Sequence, residues 1–168
     1  LVLRYARTRE DATTLQEAGE QIRRCLRELA RLEPPTDTSD RMHGLGPLLG
    51  LEGSASAAYY NSFNQILKGT WHFPGRVKRP PTDPINALLS FGYTVLTNQI
   101  VSIIHAIGLD PGLGVLHQPG FGKPALALDL IENFRAIIID STVITLINTG
   151  QIKADDFEED LGAFRMND

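Results

Sequence analysis

The sequence predicts an all-α fold, a helical bundle arranged around a central apolar helix. Apolar residues recur at helical spacing in four long segments, and no pair of alternating strands with a hairpin signal is apparent. The length of 168 residues is enough for one domain with its own core. We therefore expect residues 1–168 to form a single α-helical domain.

Two of the predicted helices lie in the N-terminal half. The first spans about residues 9–33 and ends at the two prolines that follow, which cannot continue a helix. The second follows capping candidates at 38–40 and continues towards Leu67. Because a proline interrupts helical hydrogen bonding, we expect a break or kink near Pro47.

The other two predicted helices lie in the C-terminal half. The third has Asp83 as its N-cap and Pro84 at its first helical position, and Gly108 closes it. The fourth begins at Pro124 and ends somewhere in 140–148; it is apolar nearly all round, which is typical of a central helix. Its second half is also β-branched enough to form a buried strand instead.

Composition indicates an ordinary soluble protein, with 42% hydrophobic and 21% charged residues. One cysteine excludes an internal disulfide and favours a reducing compartment. We expect no apolar run to reach the roughly 18 residues that a membrane span needs, and the first residues do not resemble a signal peptide. The chain does not start with Met, so we expect a part of a larger protein.

The net charge of −4 gives no support to nucleic-acid binding by the chain as a whole. The charge is unevenly distributed, however, because an acidic C-terminal segment inflates the negative total. Arg76, Lys78 and Arg79 lie within four positions and form a local basic patch. This patch is either a solvated loop or a contact for phosphate groups.

Two acids in the fourth predicted helix need partners. Asp129 and Glu132 are three positions apart and therefore share a helix face. Burying two unpaired carboxylates would cost several kcal/mol each. We therefore expect an arginine, a water-filled cleft or a metal ion beside them.

A glutamate and a histidine complete the candidate site. Glu52 lies between Gly50 and Gly53 in an apolar helical segment, and His117 lies in a turn rich in Gly and Pro just before the fourth helix. Each could simply be a surface or packing residue. A mixed carboxylate and imidazole set, however, suits Mn²⁺ or Mg²⁺ better than zinc.

Three blocks of the sequence resemble the CRISPR-associated protein one family. They are "GLEGSASAAYYNSF", "KRPPTDPINALLSFGYTVL" and "IGLDPGLGVLHQPGFGKPALALDLIENFRAIIID", in the family's order and at its separations. The resemblance covers most of residues 38–155. It implies the family's C-terminal helical domain, without the β-rich N-terminal domain that family members usually carry.

The resemblance also implies an activity and a site. The family's members are divalent-metal-dependent DNA endonucleases and integrases, which insert new spacers into CRISPR arrays by phosphodiester transesterification. The family's metal-binding glutamate matches Glu52, its histidine matches His117, and its third acid matches Glu132 or else Asp129. If Glu132 is the third ligand, Asp129 would be a fourth ligand or would orient one of the others. The implied cofactor is Mg²⁺ or Mn²⁺, and the family's DNA-contacting basic stretch matches the local basic patch.

The partners implied by the resemblance are double-stranded DNA, as prespacer and repeat array, and CRISPR-associated protein two. The full protein would be a homodimer in the cytoplasm of a prokaryote, with no membrane contact. The alternative interpretation is a helical interaction module without catalysis. In that case the buried acids would pair with Arg135 or Arg79.

Overall fold

A computed structural model describes residues 9–33 and 41–167, and in these ranges helices dominate. The elements are α1 (Arg9–Leu29), α2 (Arg41–Asn61), α3 (Pro84–Ala106), α4 (Ala125–Ile131), α5 (Ser141–Asn148), β1 (Phe157–Asp160) and β2 (Ala163–Met166). The predicted all-α class is confirmed, with one small hairpin added. The chain divides into two compact units, Leu1–Arg76 and Val77–Asp168; one domain over 1–168 stays a prediction.

In the first unit, α1 packs against α2 and buries Leu15 and Cys25. The predicted end of α1 at residue 33 is wrong, because the helix stops at Leu29. Beyond it, the N–H groups of Arg31 and Leu32 bond to carbonyls three residues back instead of four. Such a tightened turn is usual where a helix runs out ahead of prolines.

The second helix differs from its prediction in where it ends, and it is not interrupted at its proline. It continues through Pro47 without a break, although proline has no N–H to donate to the helix; a kink there stays a prediction. It ends at Asn61 and not near Leu67, because the chain turns where Ser62 Oγ donates to the carbonyl of Tyr59 at 2.6 Å. The capping candidates at 38–40 lie outside the described residues.

An aromatic cluster closes the first unit. The rings of Tyr60, Phe63 and Phe73 pack with centroid separations between 5.1 and 6.1 Å, and all three are buried. Asn64 fixes the returning chain, because its side chain both donates to and accepts from the backbone of Phe73 at 2.8 Å. The aromatic residues here therefore serve the core.

In the second unit, α3 begins as predicted. Asp83 caps it by accepting the N–H of Asn86 at 2.9 Å, and Pro84 occupies the first helical position. Gly108, with φ of +80°, closes the end of the helix. Towards that end, α3 packs against α4 through a small cluster of buried residues, namely Ile100, Ile104, Ala127 and Ile131.

The prediction of one central helix from Pro124 into 140–148 is wrong. α4 ends at Ile131, a turn follows, and a π-helical segment (Ala136–Asp140) leads into α5. The apolar residues do not surround a buried axis, since Ile137 is 71% exposed. The strand alternative is also wrong, because the β-branched run is helical.

The π-helical segment packs closely against α3. A Cβ at Gly92 would lie only 2.5 Å from Cγ2 of Ile139, so only glycine allows this approach without rearrangement. Beside it, the hydroxyl of Tyr93 donates to the fully buried Asp140 at 2.5 Å. A buried carboxylate is costly without such hydrogen bonds, so this contact ties the two elements together.

The chain ends in a hairpin that the sequence did not reveal. β1 and β2 pair antiparallel, from Phe157 opposite Met166 to Asp160 opposite Ala163. The connecting Leu161 and Gly162 both have positive φ, the pattern of a type I′ turn. Asparagine or aspartate usually occupies the first of these positions, so a leucine there conceals the turn signal.

Among the described residues, α3 is long and apolar enough to cross a membrane by length and composition alone, with a mean hydropathy of 1.5 over a stretch of 18 residues. The expectation that no segment reaches this threshold is therefore wrong, because scattered polar residues do not lower the average enough. This is weak support for a span, since core helices of soluble proteins meet the same criterion.

Candidate active site

The loop between α3 and α4 is organised by a single carboxylate. Asp129, on α4, accepts hydrogen bonds from three consecutive backbone N–H groups, those of Val115, Leu116 and His117, the last two at 3.0 and 2.8 Å. Three convergent N–H groups form a small anion-binding nest, and the aspartate fills it from inside the protein. The irregular loop thereby acquires a fixed conformation.

The same carboxylate also holds the imidazole of His117. Nδ1 lies 2.8 Å from Oδ1 of Asp129. Because an ionised carboxylate only accepts hydrogen bonds, Nδ1 carries a proton, and in the neutral ring Nε2 is then the nitrogen with a lone pair. Asp129 is 10% exposed and His117 is 35% exposed, so the ring is anchored on one side and open on the other.

These contacts determine the charge of Asp129. Burial raises the pKa of this carboxyl group, but hydrogen bonds from the backbone and ring of His117, and from the backbones of Val115 and Leu116, outweigh burial. Together they lower the pKa from 3.8 to about 2. Asp129 therefore stays ionised at neutral pH, which preserves the Nδ1–H form of the imidazole.

Gly114 makes this loop conformation possible. A Cβ at this position would lie 2.7 Å from the carbonyl oxygen of His117 and 2.7 Å from Cβ of Ala125. Ala125 is fully buried at the start of α4, so it cannot move aside easily. The absence of a side chain at Gly114 lets the loop lie directly on the helix that carries Asp129.

Glu132 has a different partner. Its two carboxylate oxygens meet both terminal nitrogens of Arg135, at 2.9 Å for Oε1 to Nη1 and 2.8 Å for Oε2 to Nη2. This is the pairing with Arg135 that the alternative interpretation expected. The structure thus brings His117 and Asp129 together and engages Glu132 separately, three residues along the chain.

Glu52 lies on α2 in the first unit and is exposed. A Cβ at Gly50 or Gly53 would meet nothing within 4 Å, so the flanking glycines leave open space beside it. Within either unit as described, no three histidine, cysteine or acidic side chains are grouped so as to hold a metal ion. The metal-ligand assignment of Glu52, His117 and Glu132 therefore stays a prediction.

The basic patch lies on extended chain around the junction of the two units. Arg76 is half-buried at the end of the first unit, whereas Lys78 and Arg79 are exposed in the second. Asn86 fixes the chain here, because its Oδ1 accepts the N–H of Val77 at 2.9 Å while its Nδ2 donates to the α3 cap. The two exposed cations are thus presented by an anchored segment.

Sequence reasoning missed one buried polar residue of this region. Asp140 is fully buried and accepts the hydroxyl of Tyr93. Its signal was present in the sequence, because it is a lone acid after three isoleucines in the run "AIIIDSTV". An acid in such a run must have a partner, and Tyr93 is a conventional one.

The chain is similar to known proteins in both sequence and structure. The family model described as CRISPR associated protein Cas1 matches residues 1–168. The chain belongs to the Cas1 family. This confirms the resemblance identified from the three sequence blocks.

Curated relatives agree with this assignment. A CRISPR-associated exonuclease Cas4/endonuclease Cas1 fusion of Geobacter sulfurreducens is 45% identical over 134 residues, or 76% of this chain and 24% of that protein. A CRISPR-associated endonuclease Cas1 of Chlorobaculum tepidum is 40% identical over 162 residues, or 94% of this chain and 44% of that protein. The chain therefore spans less than half the length of these Cas1 relatives.

Solved structures agree as well. A Cas1 protein from Thermotoga maritima superposes with a TM-score of 0.70 at 27% identity, covering 90% of this chain and 52% of that one. A chain of a Cas6-RT-Cas1–Cas2 complex gives a TM-score of 0.79 at 32% identity, covering 99% and 18%. A casposase bound to integration product gives 0.67 at 27% identity, covering 89% and 44%.

Proposed function

We propose that the chain is the catalytic part of a metal-dependent DNA endonuclease and integrase that inserts new spacers into CRISPR arrays by phosphodiester transesterification. The observation that carries the proposal is the pair of His117 and Asp129, which fixes one imidazole tautomer on an exposed, anchored loop. The names of the relatives, endonucleases among them, and the likeness to a casposase bound to integration product support the same class of reaction.

The contact between His117 and Asp129 is typical of a histidine that binds a metal. Metal-binding histidines commonly donate their second ring N–H to a carboxylate, as His117 does to Asp129. The resemblance supplies the rest of the proposed ligand set: the metal, Mg²⁺ or Mn²⁺, is held by Glu52, His117 and Glu132, with Asp129 positioning the histidine. When bound, such a cation neutralises charge on a phosphate and lowers the pKa of an attacking hydroxyl.

Side chains of the protein orient the imidazole and position the DNA before the reaction takes place. Asp129 keeps His117 in the Nδ1–H form, so that Nε2 presents its lone pair outward. Lys78 and Arg79 contact DNA phosphates and position the duplex without reading its bases, and Arg76 contributes to the same basic stretch. Because the loop and the segment before α3 are both anchored, little conformational entropy is lost when DNA binds.

The proposed partners follow from the family. They are double-stranded DNA, as prespacer and repeat array, and Cas2; the full protein would act as a homodimer in the prokaryotic cytoplasm. Chains of two complexes that contain Cas2 are among the structural relatives, which supports the partnership with Cas2.

A strand-transfer assay tests the proposal. The protein, together with Cas2, is given a short DNA duplex and a target that carries repeats, with Mn²⁺ present or chelated. We expect His117→Ala and Glu52→Ala to abolish strand transfer without changing the circular dichroism spectrum. His105→Ala, which removes an exposed histidine from α3, is the matched control and should retain activity. Full activity of both site variants would refute the proposal.

The second candidate function is a helical interaction module without catalysis. The Glu132–Arg135 pair favours it, as do several exposed apolar side chains of the second unit, namely Phe91, Val95, Ile103, Ile107 and Ile137. Crystals soaked in Mn²⁺ distinguish the two functions. Anomalous density at His117 supports the integrase. If no metal peak appears and Arg135 keeps both of its contacts with Glu132, the interaction module is supported.

A further inference from the structure

We propose that Arg135 competes with the divalent cation for Glu132, so that this ion pair limits how tightly the protein binds metal. The inference rests on the proposed function, in which Glu132 is a metal ligand. The alternative interpretation of the sequence expected Arg135 to pair with an acid; the inference goes further by making Arg135 a competitor of the metal, an internal cation that holds the ligand when metal is absent.

The first observation is that the pair engages both oxygens of the carboxylate. Both oxygens of Glu132 accept from Arg135, at 2.9 and 2.8 Å, in the bidentate arrangement that makes guanidinium–carboxylate pairs strong and directional. The side chains are 20% exposed for Arg135 and 31% exposed for Glu132, so water screens the pair only in part. A cation that chelates Glu132 through both oxygens must compete with these contacts, and one that binds a single oxygen must share it with the guanidinium.

The second observation is that the backbone around Arg135 is well anchored. Arg135 immediately precedes the π-helical segment, which is fixed to α3 by the hydrogen bond from Tyr93 to Asp140 and by the close approach of Ile139 to Gly92. The guanidinium therefore stays within reach of Glu132 and can return to it whenever metal leaves. Competition by a tethered group does not fall with dilution, because the group is always present at the site.

The consequence for metal binding has a defined sign. Breaking the pair costs free energy, and a guanidinium that remains nearby repels a divalent cation. Removing its charge should therefore strengthen metal binding. From the usual strength of partly exposed ion pairs, we expect Arg135→Gln to bind Mn²⁺ about two- to fivefold more tightly than the unaltered protein.

The test is a titration with Mn²⁺ alone, in which electron paramagnetic resonance reports the concentration of free ion. Five proteins are compared: the unaltered protein, Arg135→Gln, Arg135→Lys, His117→Ala and Arg165→Gln. Arg165 contacts Glu158 at 2.6 Å and Asp160 at 3.5 Å on the exposed hairpin, so Arg165→Gln removes an arginine–carboxylate interaction away from the candidate ligands. Circular dichroism verifies folding. Arg135→Lys keeps the positive charge but cannot form the bidentate contact, so it serves as a milder variant.

The outcomes separate the competition by Arg135 from the existence of the metal site. Loss of Mn²⁺ binding in His117→Ala, together with tighter binding in Arg135→Gln but not in Arg165→Gln, supports the inference, and Arg135→Lys should then fall in between. If His117→Ala loses Mn²⁺ while Arg135→Gln binds as before or more weakly, the competition is wrong and the metal site stands. Unaltered Mn²⁺ binding by His117→Ala overturns the metal site, and the competition with it.

Discussion

Asp129 gives an irregular loop its shape, since it accepts three consecutive backbone N–H groups and one imidazole N–H. The sequence and the resemblance placed Asp129 and His117 at one site, where Asp129 would be a fourth metal ligand or would orient a ligand without binding the metal itself. Their direct contact could not be predicted, because it depends on which way the backbone of residues 115–117 faces. The pattern of residue types carries no information on that direction.

At the residue scale, the first prediction concerns the pH dependence of stability. The pKa of Asp129 is about 2 in the folded protein against an ordinary 3.8, so its ionised form stabilises the fold. Asp129→Asn should lower the free energy of unfolding by about 2 kcal/mol near pH 7, and this deficit should shrink as pH falls from about 4 towards about 2. Urea unfolding across this pH range measures it.

The control for this prediction is Glu159→Gln, which neutralises an exposed acid on β1. It should leave the free energy of unfolding within about 0.5 kcal/mol of the unaltered protein at each pH. A deficit in Asp129→Asn that stays constant down to about pH 2 would show that the charge of Asp129 is not what the loop requires.

A second prediction at this scale concerns the basic patch. Replacing Lys78 and Arg79 together by glutamate should weaken DNA binding. The slope of log affinity against log salt concentration should become shallower by about 0.9 for each phosphate that the protein no longer neutralises. Fluorescence anisotropy with a labelled duplex measures the slope. Lys153→Glu, at an exposed lysine in the same unit, should leave it nearly unchanged. An equal slope in all three proteins would exclude the patch from the DNA interface.

Among the secondary-structure elements, those with explicit start and stop signals were predictable. Asp83, Pro84 and Gly108 mark the limits of α3 as expected. The fourth predicted helix had no such signals inside it, so neither its turn after Ile131 nor the π-helical segment was foreseen. The apolar composition of this segment led us to expect more buried side chains than the structure has. Composition does not reveal which face of a helix packs against the rest of the unit.

The prediction at this scale tests the fit between the loop and α4. Gly114→Ala places a Cβ 2.7 Å from both the His117 carbonyl and Ala125, so the loop must shift away from the helix. We expect a loss of about 1–3 kcal/mol in the free energy of unfolding and reduced strand transfer. Gly120→Ala is the control within the same loop, because its Cβ would meet nothing closer than 3.8 Å. Equal stability of the two variants would contradict the close fit.

For the whole molecule, three short blocks were enough to identify the family, and the match to the Cas1 family model over 1–168 confirms it. Blocks carry this information because they combine a helix cap, a glycine-rich loop and acids at fixed separations. The helical class also follows from sequence periodicity. Partners and metal affinity do not, since they depend on surfaces and on competing ion pairs such as Glu132 with Arg135.

The central claim is that Asp129 holds His117 with Nδ1 protonated and Nε2 available to a metal. The most direct measurement is a ¹⁵N nuclear magnetic resonance spectrum of the protein labelled at histidine, recorded before and after adding Mn²⁺. The account predicts that His117 shows the Nδ1–H tautomer in the unaltered protein, loses it in Asp129→Asn, and has an Nε2 signal that Mn²⁺ broadens selectively. An Nε2–H tautomer, or an Nε2 signal that Mn²⁺ leaves sharp, would contradict it.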